Sequence, residues 1–388
     1  MNAIMLFCVY MTLVYVPWDL LVKPAAIDEE VWFGIRFHGE WAKALAVPHL
    51  LVYGAGMVGF WGMRSWMWPW AAVYVGQIAI GMLVWPLLYV GGFGSLLMGL
   101  ISGGLFALLT RALWGARDRF QERPGPSLRE RYGDWALVTG ASTGIGAAFA
   151  RALARDGVSC VLTARREELL RGLADELEKQ HQVQTRVVPV DLAQPEGPRS
   201  LLEAVADLEI AILVNNAGVG YAGRFDRQDP ERLAQLVQLN CATPVALTAD
   251  LLPKLRERGR GALIFVGSIA GNQPLPLHAL YAASKSFDNL LGEALWGELQ
   301  GTGVDSLSLL PGSTETEFQA TAGEIAHPGE SPDAVAAKAL RALGHQPSLI
   351  SGGLNWLRAN AATRLLPRSV LTLIAKNVVE AQTPEELR

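Results

Sequence analysis

Cysteine is scarce. The chain of 388 residues has three, Cys8, Cys160 and Cys241, far apart and in no Cys-x-x-Cys or Cys/His spacing. That excludes a disulfide scaffold and an ordinary thiolate zinc site, suits a reducing compartment, and leaves no metal expected. Charge is scarce too, at 18% of residues against roughly 25% in an ordinary soluble domain. The shortage is local. Residues 1–110 hold four basic side chains (Lys23, Arg36, Lys43, Arg64) and five acidic ones (Asp19, Asp28, Glu29, Glu30, Glu40), whereas the other 278 residues hold 29 and 32. A surplus of positive charge is also lacking: at a net −4, the chain has no basic footprint for nucleic acid. What the first part has instead is tryptophan, nine of the 12 lying at or before Trp114. A membrane module joined to a soluble one fits this division.

A membrane span needs ~20 mostly apolar residues to cross the hydrocarbon. Between Ala44 and Thr110 the only charged residue is Arg64, and the breaks place helices at about 44–62, 68–88 and 92–113. Residues 3–18 are a fourth apolar run, so residues 1–114 read as a helical module of about four helices. No Lys or Arg precedes that first run, which makes it a retained span rather than a cleaved signal peptide. Trp18, Trp66, Trp68, Trp70 and Trp114 sit near span ends, where indoles favour the headgroup boundary. After the last span come Arg111, Arg117, Arg119, Arg123, Arg129 and Arg131, while the loop from Asp19 to Lys43 has three basic and five acidic residues. The positive-inside bias therefore puts the C-terminal part in the cytoplasm, with the N-terminus there too if all four runs cross. Gly91, Ser95, Gly99 and Gly103 make a small-residue stripe suited to helix packing within the module. His49 and Gln77 are read as interhelical hydrogen-bonders.

Residues 115–133 mix charges with Pro124, Gly125 and Pro126 and read as a juxtamembrane linker, its basic side chains meeting anionic membrane lipid. Beyond it the pattern changes. Short apolar runs at Trp135–Thr139, Cys160–Ala164, Arg186–Val190, Ala211–Val214, Ala262–Val266 and Ser306–Leu310 alternate with helical stretches such as Ala147–Asp156, Glu167–Gln180 and Ala282–Gln300. That alternation predicts an α/β fold, a doubly wound parallel sheet with helices on both faces.

Two motifs carry chemistry. The first strand runs into Thr139-Gly140-Ala141-Ser142-Thr143-Gly144-Ile145-Gly146 and then a helix. Glycines suit a tight turn that backs onto a pyrophosphate, and a helix N-terminus supplies free N–H groups to it. The spacing here is G-x-x-x-G-x-G. The second motif is Ser268 after a strand, followed by Tyr281-Ala282-Ala283-Ser284-Lys285. Tyr281 and Lys285 share a helix face at i and i+4. A phenol of pKa near 10 is a poor acid–base at neutral pH, and an adjacent ammonium moves it toward the working range. Ser268 can then hydrogen-bond a carbonyl oxygen on which negative charge develops.

Residues from about 134 to 320 resemble the short-chain dehydrogenase/reductase family, whose fold is Rossmann-like. The matches are the glycine turn, Asp191-Leu192 after the third strand, Asn215-Asn216-Ala217-Gly218 after the fourth, Asn240, Ser268, Tyr281-x-x-x-Lys285, and Pro311-Gly312 with Thr316. The resemblance implies that Tyr281 is the general acid in reduction, that Ser268 orients the carbonyl, and that Lys285 holds the nicotinamide ribose. It implies that Asn240 positions a proton-relay water, and that Gly140, Ser142, Thr143, Gly144, Ile145 and Gly146 cradle the cofactor. It also implies that Asp191 contacts adenine, that Asn216 lies on the adenosine-ribose side, that Thr316 meets the nicotinamide carboxamide or phosphate, and that Leu192, Ala217, Gly218, Pro311 and Gly312 also bind the cofactor. The catalytic set is complete. At the end of the second strand, Ala164 stands where an NAD enzyme needs an acidic residue and Arg165 and Arg166 follow, which favours NADPH/NADP+ over NADH. Thr143 departs from members with a basic residue in the turn. The loop Ile269–Leu280, mostly apolar, would border the substrate, and the segment Phe318–Ile325 would continue into a substrate lid, both suggesting a lipophilic substrate. His278 reads as a pocket-wall residue.

Residues 134–346 would then be the catalytic domain and 347–388 an amphipathic helical tail, either at a membrane surface or docked on the enzyme itself. The tail resembles that of a bacterial subgroup, which points to a bacterial inner membrane. The expected function is a membrane-tethered, NADPH-dependent reduction of a ketone or aldehyde on a lipophilic or lipid-linked small molecule. The alternatives are alcohol oxidation with NADP+ and a non-catalytic NADPH-sensing scaffold. A homo-oligomer is allowed.

Overall fold

The computed structural model describes residues 2–61, 66–116, 126–325, 328–352 and 367–388. Arg64, the linker arginines Arg117, Arg119 and Arg123, and the tail positions Leu354, Trp356, Leu357, Arg358, Arg364, Leu365 and Leu366 lie outside the described residues. The chain forms two compact units, Met1–Gly125 and Pro126–Arg388.

Among the described residues of the first unit, three helices are long and apolar enough to cross a membrane: Glu40–Phe60, Met67–Tyr89 and Phe93–Gly115. The first apolar run is a shorter helix, Leu6–Leu21, interrupted by a π-helical turn at Met11–Tyr15. Between it and the long helices lies a hairpin that periodicity does not reveal, β1 (Glu29–Trp32) and β2 (Ile35–His38). Buried charges gather beside it: Lys23 Nζ lies 3.0 Å from Asp19 and 2.5 Å from Asp28, and Lys43 Nζ is 3.1 Å from Asp28. Pairing makes their burial tolerable. His49 bonds Glu30 of the hairpin at 3.0 Å and stacks on Trp32 with centroids 4.3 Å apart. Its hydrogen bond thus goes to the hairpin, while its ring also stands edge-on to Tyr74 of the helix Met67–Tyr89, with centroids 6.0 Å apart. A Cβ on Gly99 would sit 3.1 Å from the Met82 carbonyl oxygen, and one on Gly103 would sit 2.7 Å from Leu83 Cγ. Half of the small-residue stripe thus serves the packing of its helix on Met67–Tyr89, whereas a Cβ on Gly91 would meet nothing within 4 Å.

The second unit opens with a short helix, Leu128–Tyr132, capped by a Ser127–Glu130 capping box. It is tied to the sheet through Asp305, which accepts from Arg131 Nη2 and the Tyr132 hydroxyl, each at 2.7 Å. The sheet is parallel: β3 (Trp135–Thr139), β4 (Ser159–Ala164), β5 (Thr185–Pro189), β6 (Ile210–Asn215), β7 (Gly261–Val266), β8 (Val304–Leu310) and β9 (Ser348–Ile350), in the order β5-β4-β3-β6-β7-β8-β9. Six of these are the predicted strands. β9 is a further edge strand, pairing with the end of β8.

Strand residues alternate between two cores. Val138, Leu162, Val214, Ile264 and Leu309 pack with Phe149, Leu170 and Val335 on one face. Leu137, Val161, Leu213, Leu263 and Phe265 pack with Leu201, Leu251 and Leu295 on the other. This is a Rossmann-like doubly wound sheet, and burial on both faces explains why its strands read as nearly continuous apolar runs.

Candidate active site

From β3 the chain winds outward to β4 and β5, then returns to β6 on the other side of β3. The connections leaving β3 and β6 therefore diverge, and a crevice opens at the carboxyl ends of the strands. The glycine turn and Asn216 meet there. Gly140 has φ +66°, and a Cβ on Gly146 would lie 2.3 Å from the Gly140 carbonyl oxygen and 2.5 Å from Asn216 Nδ2. No larger residue fits at Gly146. Asn216 Nδ2 donates to the carbonyls of Thr139 (2.8 Å) and Gly140 (3.2 Å), so its amide braces the turn. The helix Gly144–Arg155 begins after Thr143, which makes no side-chain cap, and its first-turn amides are left for an anion.

A cleft of about 1060 Å³ runs from this turn past Tyr281. Every site residue expected from the sequence lines it except Gly146 and Asn240, which stand behind the wall. The glycine cradle, the free amides and a cleft reaching the Tyr281 phenol fit a dinucleotide. Arg165 and Arg166 lie at the mouth beside Ala164. Arg166 donates to Ser142 Oγ (3.3 Å) and Thr143 Oγ1 (3.1 Å) and pairs with Glu317 at 2.8 Å. It thereby bridges the glycine turn to the segment after β8.

The reactive groups stand at the ends of β7 and the helix Ala279–Glu298. Ser268 Oγ accepts from the Ala270 amide at 3.1 Å and directs its proton along a long 3.5 Å contact to the Pro311 carbonyl. Asn289 fixes the Ser268 backbone on both sides, its Oδ1 accepting from the Ser268 amide (3.3 Å) and its Nδ2 donating to the carbonyl (2.9 Å). Asn240 lies in a π-helical turn, Gln238–Ala242. Its side chain makes three hydrogen bonds, accepting from Val219 N at 3.0 Å and donating to the Val219 carbonyl and to Ser284 Oγ at 2.9 Å each. Lys285 Nζ donates to the Val266 carbonyl at 2.6 Å. Burial raises the Tyr281 phenol above its usual range, against the pull of the Lys285 ammonium and a hydrogen bond to Ser268. His278 is buried, with Nδ1 3.5 Å from Glu324 Oε1, and burial lowers its pKa to about 4. It is neutral at pH 7, as a wall residue should be. A phenol beside an ammonium and a serine can deliver a proton to, or take one from, an oxygen placed between them.

Beyond Tyr281 the wall is apolar. Phe318 packs on the Tyr281 ring at 5.3 Å, and Leu371, Ile374, Val378 and Val379 of the helix Arg368–Gln382 complete it. Of the two expectations for the tail, its described part docks on the enzyme. Ile325 N donates to the Gln382 carbonyl (2.9 Å) and Arg224 N to that of Leu387 (3.1 Å). Arg166 and the contribution of this helix to the wall are the features that sequence reasoning underweighted.

A sequence profile of the short chain dehydrogenase family matches residues 134–325. A very-long-chain 3-oxoacyl-CoA reductase of Anas platyrhynchos is 33% identical over 238 residues, 60% of this chain and 73% of the relative. A structure solved to explain the stereoselectivity of a 7beta-hydroxysteroid dehydrogenase superposes with a TM-score of 0.60 at 27% identity, over 64% of this chain and 99% of that one. A short-chain dehydrogenase of Sphingobium yanoikuyae in complex with NADPH superposes with a TM-score of 0.54 at 29% identity, over 65% and 99%. The chain belongs to the short-chain dehydrogenase/reductase family and is an NAD(P)-dependent oxidoreductase acting on C=O or CH–OH groups.

Proposed function

We propose that this enzyme is a membrane-tethered, NADPH-dependent reductase of a lipophilic ketone or aldehyde. The single observation that carries the substrate class is the apolar wall beyond Tyr281, built from Phe318 and the helix Arg368–Gln382. Two of the relatives have names that refer to 3-oxoacyl-CoA and to a hydroxysteroid, and both substrates put a carbonyl or carbinol on a large apolar body. The three long apolar helices would hold the catalytic unit at a bilayer, where such molecules concentrate. By the positive-inside bias the catalytic unit faces the cytoplasm.

When bound, the nicotinamide supplies the hydride. The protein supplies the rest. Tyr281 donates its hydroxyl proton to the carbonyl oxygen as negative charge builds there, and Ser268 steadies that oxygen with its hydroxyl proton, turned from its long contact with the Pro311 carbonyl. Lys285 would hold the ribose and favour the phenolate left behind. Asn240 keeps the wall behind Lys285 in place. Arg165 and Arg166 would receive a 2′-phosphate, which favours NADPH over NADH.

The test is cofactor oxidation by protein reconstituted in nanodiscs, with NADPH or NADH, against carbonyls from small aldehydes to 3-oxoacyl thioesters and steroid ketones. NADPH consumption with the apolar carbonyls is expected, falling by about 10²–10⁴-fold in Tyr281→Phe. Turnover confined to small soluble carbonyls would remove the lipophilic substrate from the proposal.

A further inference from the structure

Lys285 has a second partner that the general acid–base scheme does not require. Its Nζ lies 3.0 Å from Asp288 Oδ2, one turn further along the same helix. Both residues are buried, Lys285 at 5% and Asp288 at 3% exposure. The other carboxylate oxygen, Oδ1, is buried without a hydrogen-bond partner. A buried carboxylate with one oxygen unsatisfied costs stability, and an apolar side chain would serve the packing of this helix better. Its place beside Lys285 therefore calls for a chemical reason.

The groups around the pair come from several elements. Tyr281 precedes Lys285 on the same helix. Val266 at the end of β7 offers its carbonyl. Cys241, on the π-helical turn, is kept a neutral thiol, because burial pushes its pKa up to about 11. His278 is neutral at pH 7, and Glu324, 3.5 Å from His278 Nδ1, adds a smaller upward push on the Tyr281 phenol. Burial acts against charge on Lys285, and Asp288 with Tyr281 more than restores it. Asp288 is the carboxylate in direct contact with the ammonium.

Resting on the reading of Tyr281 as the acid–base, we infer that Asp288 is a buried counter-ion to Lys285, cancelling part of the ammonium's field at Tyr281 and keeping the phenol protonated, loaded to donate. The sign holds whichever of the coupled groups gives up the proton, since a nearby negative charge opposes any further loss of positive charge. Asp288 is thus a positioning residue that acts through Lys285 and biases the site toward reduction.

The test reads the phenol directly. In full-length protein with NADP+ bound, tyrosinate absorbance is titrated against pH, with Tyr281→Phe as the blank. The Asp288→Asn midpoint should fall by about one pH unit below that of the native protein, and Asp288→Glu should stay near the native value. In the same preparations, NADP+-dependent oxidation of 2-octanol at a pH below both midpoints should run about tenfold faster in Asp288→Asn. Should Asp288→Asn fail to fold, the similarly sized Asp288→Leu removes the same charge. Coincident titration curves would overturn the inference, because a purely structural aspartate changes stability and leaves the midpoint alone. Loss of 2-octanol turnover in every variant, the native protein included, would instead count against the enzymatic reading while the titration still decides the role of Asp288.

Discussion

At Thr139 one hydroxyl joins the two halves of the cofactor crevice. It donates to the Val214 carbonyl (3.1 Å) and accepts from the amides of Asn216 (2.9 Å) and Ala217 (3.0 Å), which uses all of its hydrogen-bonding capacity. The identities of Thr139 and Asn216 were legible in the sequence, but their mutual bonding was not, because it depends on β3 and β6 being neighbours. The same holds at the mouth of the cleft. The sequence pointed to Arg165 for the cofactor and allowed Arg166 to be a solvated start to the next helix, and only the structure shows Arg166 reaching back to Ser142 and Thr143. Arg166→Ala should weaken NADPH binding by about tenfold, the worth of one charge-assisted contact, and leave NADH binding unchanged. Nicotinamide fluorescence titrations with the two cofactors check this.

Among the elements, the five inner strands were readable because each is buried on both faces and shows as an apolar run, and the half-buried edge strand β5 because it still carries Val187 and Val188. The seventh, Ser348–Ile350, is three half-buried residues at an edge, too short and too mixed for any periodicity to mark. The hairpin Glu29–His38 was hidden for another reason. Its turn uses Phe33 at φ 52° before Gly34 at φ 84°, and a bulky residue at positive φ is not a turn signal. The helix Arg368–Gln382 was expected as an amphipathic segment, and its composition could not choose between lipid and protein. Its Leu371, Ala375 and Val379 form the buried stripe. Leu371→Ala should cost about 2–4 kcal/mol locally and raise KM for bulky apolar carbonyls while leaving that for a small aldehyde little changed. Steady-state kinetics on the two substrates, beside urea unfolding, separates the effects.

For the whole molecule, the contrast in charge between residues 1–110 and the rest announced two units before any element was placed. The sided arrangement we propose makes a direct prediction. Inverted membrane vesicles should oxidise external NADPH with an apolar ketone at once, whereas right-side-out vesicles should do so only after permeabilisation. The sheet order has a consequence for biogenesis. β3 is the first strand of the sheet to leave the ribosome, and it lies inside the finished sheet, between β4 and β6. Its β4 side is covered early. Its other edge waits for Ile210–Asn215, so the nascent half-sheet carries a bare row of peptide groups while its N-terminal helices enter the bilayer. An open edge held at a crowded membrane surface invites wrong pairing. The interval between making β3 and making β6 is therefore the stretch of synthesis in which this chain most needs a chaperone.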